Sequence, residues 1–488
     1  MSLEKKNRLG PIALVLACGT SLFSDGYLNG TLGSARTFLI RQYGSATFNG
    51  NDRGTVFSSI GFVGIVVGQL SFGWIVDRIG RRNSMFFANI IVLIFSILQT
   101  GAYGANPDTL FRMLTAWRFF QGIGIGGEYP AGSVAAAEAT ENDGMAKGRQ
   151  NMWFALATNS AIDFGFVVGA FVPYLCVLGY GDTKYEAGWR TCFGVGIIWP
   201  LLLFAIRFLI KEETDVYKRS SMAKARQVPW GLIFKRYWLR WLGIALVWFL
   251  YDFISYPFGI YSSTVVDTIT GSDASLKTVF GWNTIINLFY MPGTLIGALL
   301  VDRVGAKKLL IIALMFQAIV GFIMSGLYVQ LTDHIAAFAV VYGIFLAMGE
   351  VGPGNCIGLL AAKSSSTAVR GRFYGTAAAF GKIGAYAGTW AFPALIADFP
   401  ADSVVAITGP FYLGSGLAIL SAIITFFLIR PLSVDQQHHE DIEFKEYLAD
   451  NGYDIRQMGL SEQMAVEDVP LELGRENTDE KRAHEPVA

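Results

Sequence analysis

The chain has 488 residues, 53% of them hydrophobic and only 16% charged, with Lys+Arg and Asp+Glu balanced at 38 each. Soluble domains carry about 25% charged residues, so a water-soluble globular protein is excluded. The sequence shows no nucleotide-binding glycine loop, nucleophile–base pair or metal-ligand spacing, so no enzyme activity, cofactor, metal or nucleic-acid partner is expected.

Apolar runs near the ~20 residues needed to cross a hydrocarbon core recur along the chain. They predict twelve membrane-spanning helices at 11–40, 55–76, 84–103, 110–139, 150–178, 189–210, 238–264, 278–301, 309–330, 335–361, 373–397 and 408–430. The first run has no small-residue cleavage site and reads as a helix, not a removed signal peptide. The cysteines Cys18, Cys176, Cys192 and Cys356 fall in or beside apolar runs and read as buried small hydrophobes. Four units follow: a six-helix half at 1–210, a central loop at 211–237, a second half at 238–430 and a tail at 431–488. The central loop and alternate short loops are basic, with Arg78, Arg81 and Arg82, Lys147 and Arg149, Arg303, Lys307 and Lys308, and Lys363, Arg370 and Arg372. The positive-inside rule then places both termini in the cytoplasm. The tail after Pro431 carries 15 acids against 5 bases, a composition that predicts disorder over most of it.

The halves repeat one another. "GWIVDRIGRR" (73–82) returns as "LLVDRVGAKK" (299–308), so that Asp77 and Asp302 are 225 positions apart. Arg149 pairs with Arg372 and Asn159 with Lys382 at 223, and Asp25 with Asp252 at 227. Two six-helix halves joined by a loop resemble the major facilitator superfamily. The loop motif carrying Asp77, Arg78, Arg81 and Arg82, echoed by Asp302 and Arg303, resembles that superfamily's signature. The resemblance implies an all-α membrane fold of twelve helices, with a substrate site between two pseudo-symmetric halves near the midplane.

Charges within spans cost about 2.5–3.5 kcal/mol each even on the lenient scale, so each needs a reason. They are Asp25, Arg118, Glu128, Asp163, Asp252, Glu350 and Lys382. Structural ion pairing could account for Arg118, Glu350 and Asp163. It fits poorly for Asp25, Asp252 and Lys382, which fall in the first, seventh and eleventh spans, the cavity-lining ones of this architecture. Trp248, Asp252 and Tyr256 recur at i, i+4 and i+8 and share one helix face, which reads as a binding face. In the fourth span, Gly122, Gly124, Gly126 and Gly127 allow close helix approach.

At these residues the chain resembles the proton-coupled phosphate symporters. "SDGYLNG", "GGEYPAGS", "WFLYDFISYPFGIYSS", "VGPGN", "TAVRGRFYG" and "DIEFKEYLADNGY" resemble more closely the fungal glycerophosphoinositol permeases, over nearly the whole chain. The resemblance implies a substrate site of Tyr129, Asn159, Trp248, Asp252, Tyr256, Asn355 and Lys382, with proton coupling by Asp25, Glu128 and Asp252. The span-five Gln of the phosphate symporters is absent here, and Asn159 is taken over Asp163 on the repeat alone. Glu128 replaces an Asp, and Leu28 and Asn29 stand where a second acid is expected; these changes fit a larger diester than free phosphate. The implied function is a monomeric plasma-membrane symporter for protons and an anionic glycerophosphodiester, of the inositol or choline type. An inorganic phosphate symporter and a non-transporting nutrient receptor are the alternatives.

Overall fold

The computed structural model describes residues 15–16, 18–19, 21–141, 148–209, 227–271, 274–400, 403–433 and 436–458. Lys147, most of the expected central loop (211–226) and the tail beyond 458 lie outside the described residues. Among the described residues, twelve long helical units follow one another. They are α1 (Leu22–Tyr43), α2 (Arg53–Ile79), α3 (Arg81–Thr100), α4 (Pro107–Glu128, continued by Val134–Thr140), α5 (Gln150–Ala157 and Asn159–Tyr180) and α6 (Tyr185–Val195 and Ile198–Leu209). The second set is α7 (Trp230–Thr270), α8 (Leu276–Leu288 and Tyr290–Val304), α9 (Ala306–Gly326), α10 (Ile335–Gly349, continued by Asn355–Lys363), α11 (Arg370–Ala397) and α12 (Val404–Leu428).

Among the described residues, nine of these units are long and apolar enough to cross a membrane by composition. The other three are α1, α4 and α11. They carry Asp25, Glu128 and Lys382, all buried, because the faces that hold these charges pack against protein. Their lower hydropathy marks the centre of the bundle.

The repeat is visible in the backbone. α4 passes through a π-helical turn at Tyr129–Ser133 and α10 through one at Glu350–Gly354. Their prolines, Pro130 and Pro353, are 223 positions apart, the offset of the sequence repeat. Such turns leave carbonyl groups to be satisfied by other donors and recur at functional sites. The D-R-x-G loops end on Gly80 and Gly305, at φ of 97° and 88°, a region glycine occupies without the Cβ penalty.

Each loop aspartate then caps a helix of the opposite half. Asp77 accepts the backbone N–H groups of Gly371 and Arg372 (both 3.2 Å) at the start of α11. Asp302 accepts those of Asn151 (3.3 Å) and Met152 (2.8 Å) at the start of α5. Arg81 is buried between Asp77 (3.3 Å) and Glu138 (2.7 Å), and Arg370 of the other half also reaches Glu138 (3.4 Å). Arg78, Arg82 and Arg303 are exposed. At the opposite end the halves meet through Arg41–Asp267 (2.7 Å), Thr37–Ser263 (3.3 Å) and Trp390–Ser59 (3.0 Å). The seam is bridged at both ends, as in an occluded state.

The α4 glycines serve packing. A Cβ on Gly122 or Gly126 would lie 2.3 or 2.2 Å from a carbonyl oxygen of α2, so only glycine permits this approach.

Two expectations need correction. α7 begins at Trp230, eight residues before the expected 238, because the aromatic run 230–237 continues the helix. The start of the tail, expected to be disordered over most of its length, forms a helix, α13 (Gln436–Asp450). Phe444, Leu448 and Met458 are fully buried, which offsets the ordering entropy. Glu440 accepts from Arg236 (2.8 Å), Arg240 (2.5 Å) and the Tyr237 hydroxyl (2.9 Å), and Asp441 accepts from Ser366 and Thr367. Glu440 thus neutralises the basic start of α7.

Candidate functional site

A small cavity of about 70 Å³ lies between the halves, walled by parts of α1, α4, α5, α7, α8, α10 and α11. Tyr129, Asn159, Trp248, Asp252, Tyr256 and Lys382 all line it. Asp252 sits near the middle of the 41-residue α7. Trp248 and Tyr256, one turn to either side, present their rings to the same space. Gly381 leaves room for the indole, since a Cβ there would lie 2.4 Å from Trp248 Cδ1. Tyr374 packs edge-on against the same indole (5.5 Å).

Lys382 Nζ lies 3.0 Å from Asp252 Oδ2, with both side chains almost wholly buried. It also donates to the Tyr256 hydroxyl and sits 3.8 Å from the centre of that ring. Tyr256 and Tyr129 hydroxyls are 3.4 Å apart. Tyr129 donates to Asp25, whose other oxygen accepts from Asn29 Nδ2 (2.6 Å). One hydrogen-bonded chain therefore runs Asp252–Lys382–Tyr256–Tyr129–Asp25 from the second half into the first. The sequence reading treats both Lys382 and Asp252 as poorly suited to ion pairing; the structure pairs them. The partners come from α7 and α11, 130 positions apart.

A second cluster faces the first. Asn159 Nδ2 is 3.1 Å from each of Asp163 Oδ2, Glu350 Oε2 and Thr294 Oγ1. Tyr251 donates to Glu350 Oε1 (2.7 Å). Asn159 and Asp163 thus both belong to the wall, and Glu350 has hydrogen-bond donors where ion pairing was considered. Tyr251, Glu350 and Tyr374 are cavity residues that the sequence reading left outside the site. For Tyr251 the available signal was the breadth of the polar face on α7, where Tyr251 and Ser255 adjoin Asp252 and Tyr256, and for Glu350 it was a charge within a span.

Three expected site residues do not line the cavity. Asn355 is buried behind it, donating to the carbonyls of Glu350 (2.8 Å) and Thr294 (2.9 Å). It satisfies backbone around the π-helical turn. Asp25 is one hydrogen bond behind the wall. Glu128 is buried on α4 immediately before Tyr129. Arg118 is buried too, 5.5 Å from the Phe57 ring, and no carboxylate pairs with it among the described residues.

The model of the sugar (and other) transporter family matches residues 12–214 and again 210–435. The chain belongs to that family. Among relatives of this transporter is a glycerophosphodiester transporter of Candida albicans, 42% identical over 93% of this chain and 85% of the relative. A glycerophosphocholine permease and a major glycerophosphoinositol permease of the same organism are each 40% identical, covering 94% and 93% of this chain and 86% and 84% of their own lengths. The fold matches the proton:xylose symporter of the major facilitator superfamily, with a TM-score of 0.72 at 18% identity over 89% of this chain and 99% of that one. The fungal resemblance and the twelve-helix fold read from the sequence both hold.

Proposed function

We propose that this transporter imports glycerophosphodiesters together with protons by alternating access. It works as a monomer in the plasma membrane, with the basic loops and both termini cytoplasmic. The observation that carries the reading is the buried Lys382–Asp252 pair, joined through two tyrosine hydroxyls to Asp25. The names of the fungal relatives support the substrate class.

An anionic phosphoryl group needs Lys382, which Asp252 holds. Protonating Asp252 dissolves the pair and frees the ammonium for a phosphoryl oxygen, while the neutral carboxyl can still hydrogen-bond substrate. Deprotonation restores the pair and expels the anion. Asp25 carries a second proton, linked to the same lysine through Tyr129 and Tyr256; Glu128 is the alternative carrier. Import of a monoanion against 100 mV costs about 2.3 kcal/mol per charge, so two protons make the step favourable. Asn159, Trp248 and Tyr256 contact the body of the substrate. A cavity of about 70 Å³ is far below the ~300–1,000 Å³ of ligand sites, so the halves must part to admit a diester.

The test is uptake by purified protein in vesicles, with glycerophosphoinositol, glycerophosphocholine and inorganic phosphate in competition. Concentrative, proton-driven uptake of either diester, with phosphate a weak competitor, is expected. Preference for phosphate would make the chain a phosphate symporter, and binding without uptake would make it a receptor.

A further inference from the structure

On the outer surface of the bundle, at the end with the basic loops, α2, α7 and α11 enclose a groove of about 530 Å³. Its walls are aromatic: Trp74 from α2, and Trp230, Phe234, Trp238 and Trp241 from α7. Trp74, Trp230 and Trp238 are 45–49% exposed and Phe234 69%, and tryptophans at helix ends in this position mark the membrane–water interface. The groove also contains Arg372, which is only 9% exposed. Its guanidinium lies over Trp230 (4.5 Å) and Trp74 (5.2 Å), and Arg78 stacks on the same Trp74 ring at 4.0 Å.

Arg372 is under-satisfied. Its Nε and Nη1 are buried without a hydrogen-bond partner among the described residues. The nearest carboxylate, Asp77, is 4.0 Å away and is committed to Arg81 and to the backbone of Gly371 and Arg372. Among the described residues no acid lines the groove. Two guanidiniums on one indole, with open donors in a low-dielectric wall, demand an anion.

We propose that this groove binds the head group of an anionic glycerophospholipid from the adjoining leaflet. The phosphate takes the open Arg372 donors with Arg78 beside it, and the acyl chains run over Trp230 and Phe234. Basic pockets between membrane helices recognise such head groups. A free phosphate would gain nothing from the exposed indoles. The groove joins α2 of one half to α7 and α11 of the other, so a lipid seated there straps the basic end shut. Opening that end carries Trp74 away from Trp230 and Arg372 and dismantles the site.

The test uses the full-length protein in nanodiscs of phosphatidylcholine, alone or mixed with phosphatidylinositol. Native mass spectrometry reads the retained lipid, and thermal unfolding reads its stabilisation. The wild type is expected to retain phosphatidylinositol and to unfold at higher temperature with it. Arg372→Gln keeps the backbone N–H that Asp77 uses and is expected to weaken retention roughly tenfold or more, the worth of a charge-assisted hydrogen bond. Trp230→Ala keeps the charge and is expected to weaken retention as well, which guards against a folding defect in the first variant. Retention by both variants equal to that of the wild type, equal stabilisation by phosphatidylcholine, or displacement of the lipid by equimolar inorganic phosphate would each overturn the proposal.

Discussion

Replacing Asp252 by asparagine separates the proposed proton-linked role of this residue from a purely structural one. In the unliganded protein it removes the carboxylate partner of a buried ammonium. Losing one member of a buried pair costs about 3–5 kcal/mol when nothing replaces it. Lys382 keeps the Tyr256 hydroxyl and the ring 3.8 Å away, so the loss should fall at or below the lower end of that range. The substrate anion then meets a lysine with no competitor. In the wild type, where Asp252 is ionised, uptake of its proton should contribute up to ~10-fold weaker binding for each rise of one pH unit. In Asp252→Asn that slope should flatten, and ligand should raise the unfolding temperature more than in the wild type. Exchange of internal for external substrate should persist while concentrative uptake fails. The assay is binding, exchange and proton-driven uptake on one purified variant across a range of pH. A stable variant that still concentrates substrate with an unchanged pH slope refutes the reasoning and moves the role to Asp25 or Glu128. A variant that folds but neither binds nor exchanges would make the pair structural.

Lys382→Ala should insert and fold but lose diester uptake altogether, as measured by vesicle uptake at limiting substrate; near-normal uptake would remove the lysine from the anion site. Asp77→Ala and Asp302→Ala each remove a helix cap between the halves, a loss of roughly 0.5–2 kcal/mol. Each should raise cysteine labelling of the cavity from the basic end by several-fold, and unchanged labelling would show that these caps do not hold that end closed. Phe444→Ala empties a fully buried site on α13 and should destabilise its docking by about 3–5 kcal/mol, visible as faster proteolysis after residue 433. Equal proteolysis would mean the helix is not held by its apolar face.

The twelve spans were legible because hydrocarbon thickness demands long apolar runs, and the repeat offset identified the halves. Even the polar spans α1, α4 and α11 were legible, since each still carries enough apolar and glycine residues to read as membrane-embedded. The start of α7 was less clear because Lys235 and Arg236 look like loop residues, although Glu440 supplies the partner of Arg236. That partner is 204 positions away, and no local pattern reveals it. The helical tail was hidden for the same reason: two apolar side chains one turn apart, Phe444 and Leu448, carry too weak a period to outweigh an acidic composition. In the site, the α7 stripe placed Trp248, Asp252 and Tyr256 on one wall. The sequence also singled out Lys382 as a charge in a cavity-lining span. It did not reveal the Lys382–Asp252 pair or the withdrawal of Asn355 behind the wall, because both depend on where α11 and the α10 π-helical turn come to rest.

The central claim is that protons release Lys382 for the substrate anion and travel with it. Simultaneous recording of diester and proton movement in vesicles, at fixed membrane potentials, tests it most directly. The account predicts at least two protons per diester and an inward positive current, with each proton contributing about 2.3 kcal/mol per 100 mV. Diester flux that ignores both the pH gradient and the potential, with no accompanying proton movement, would contradict it.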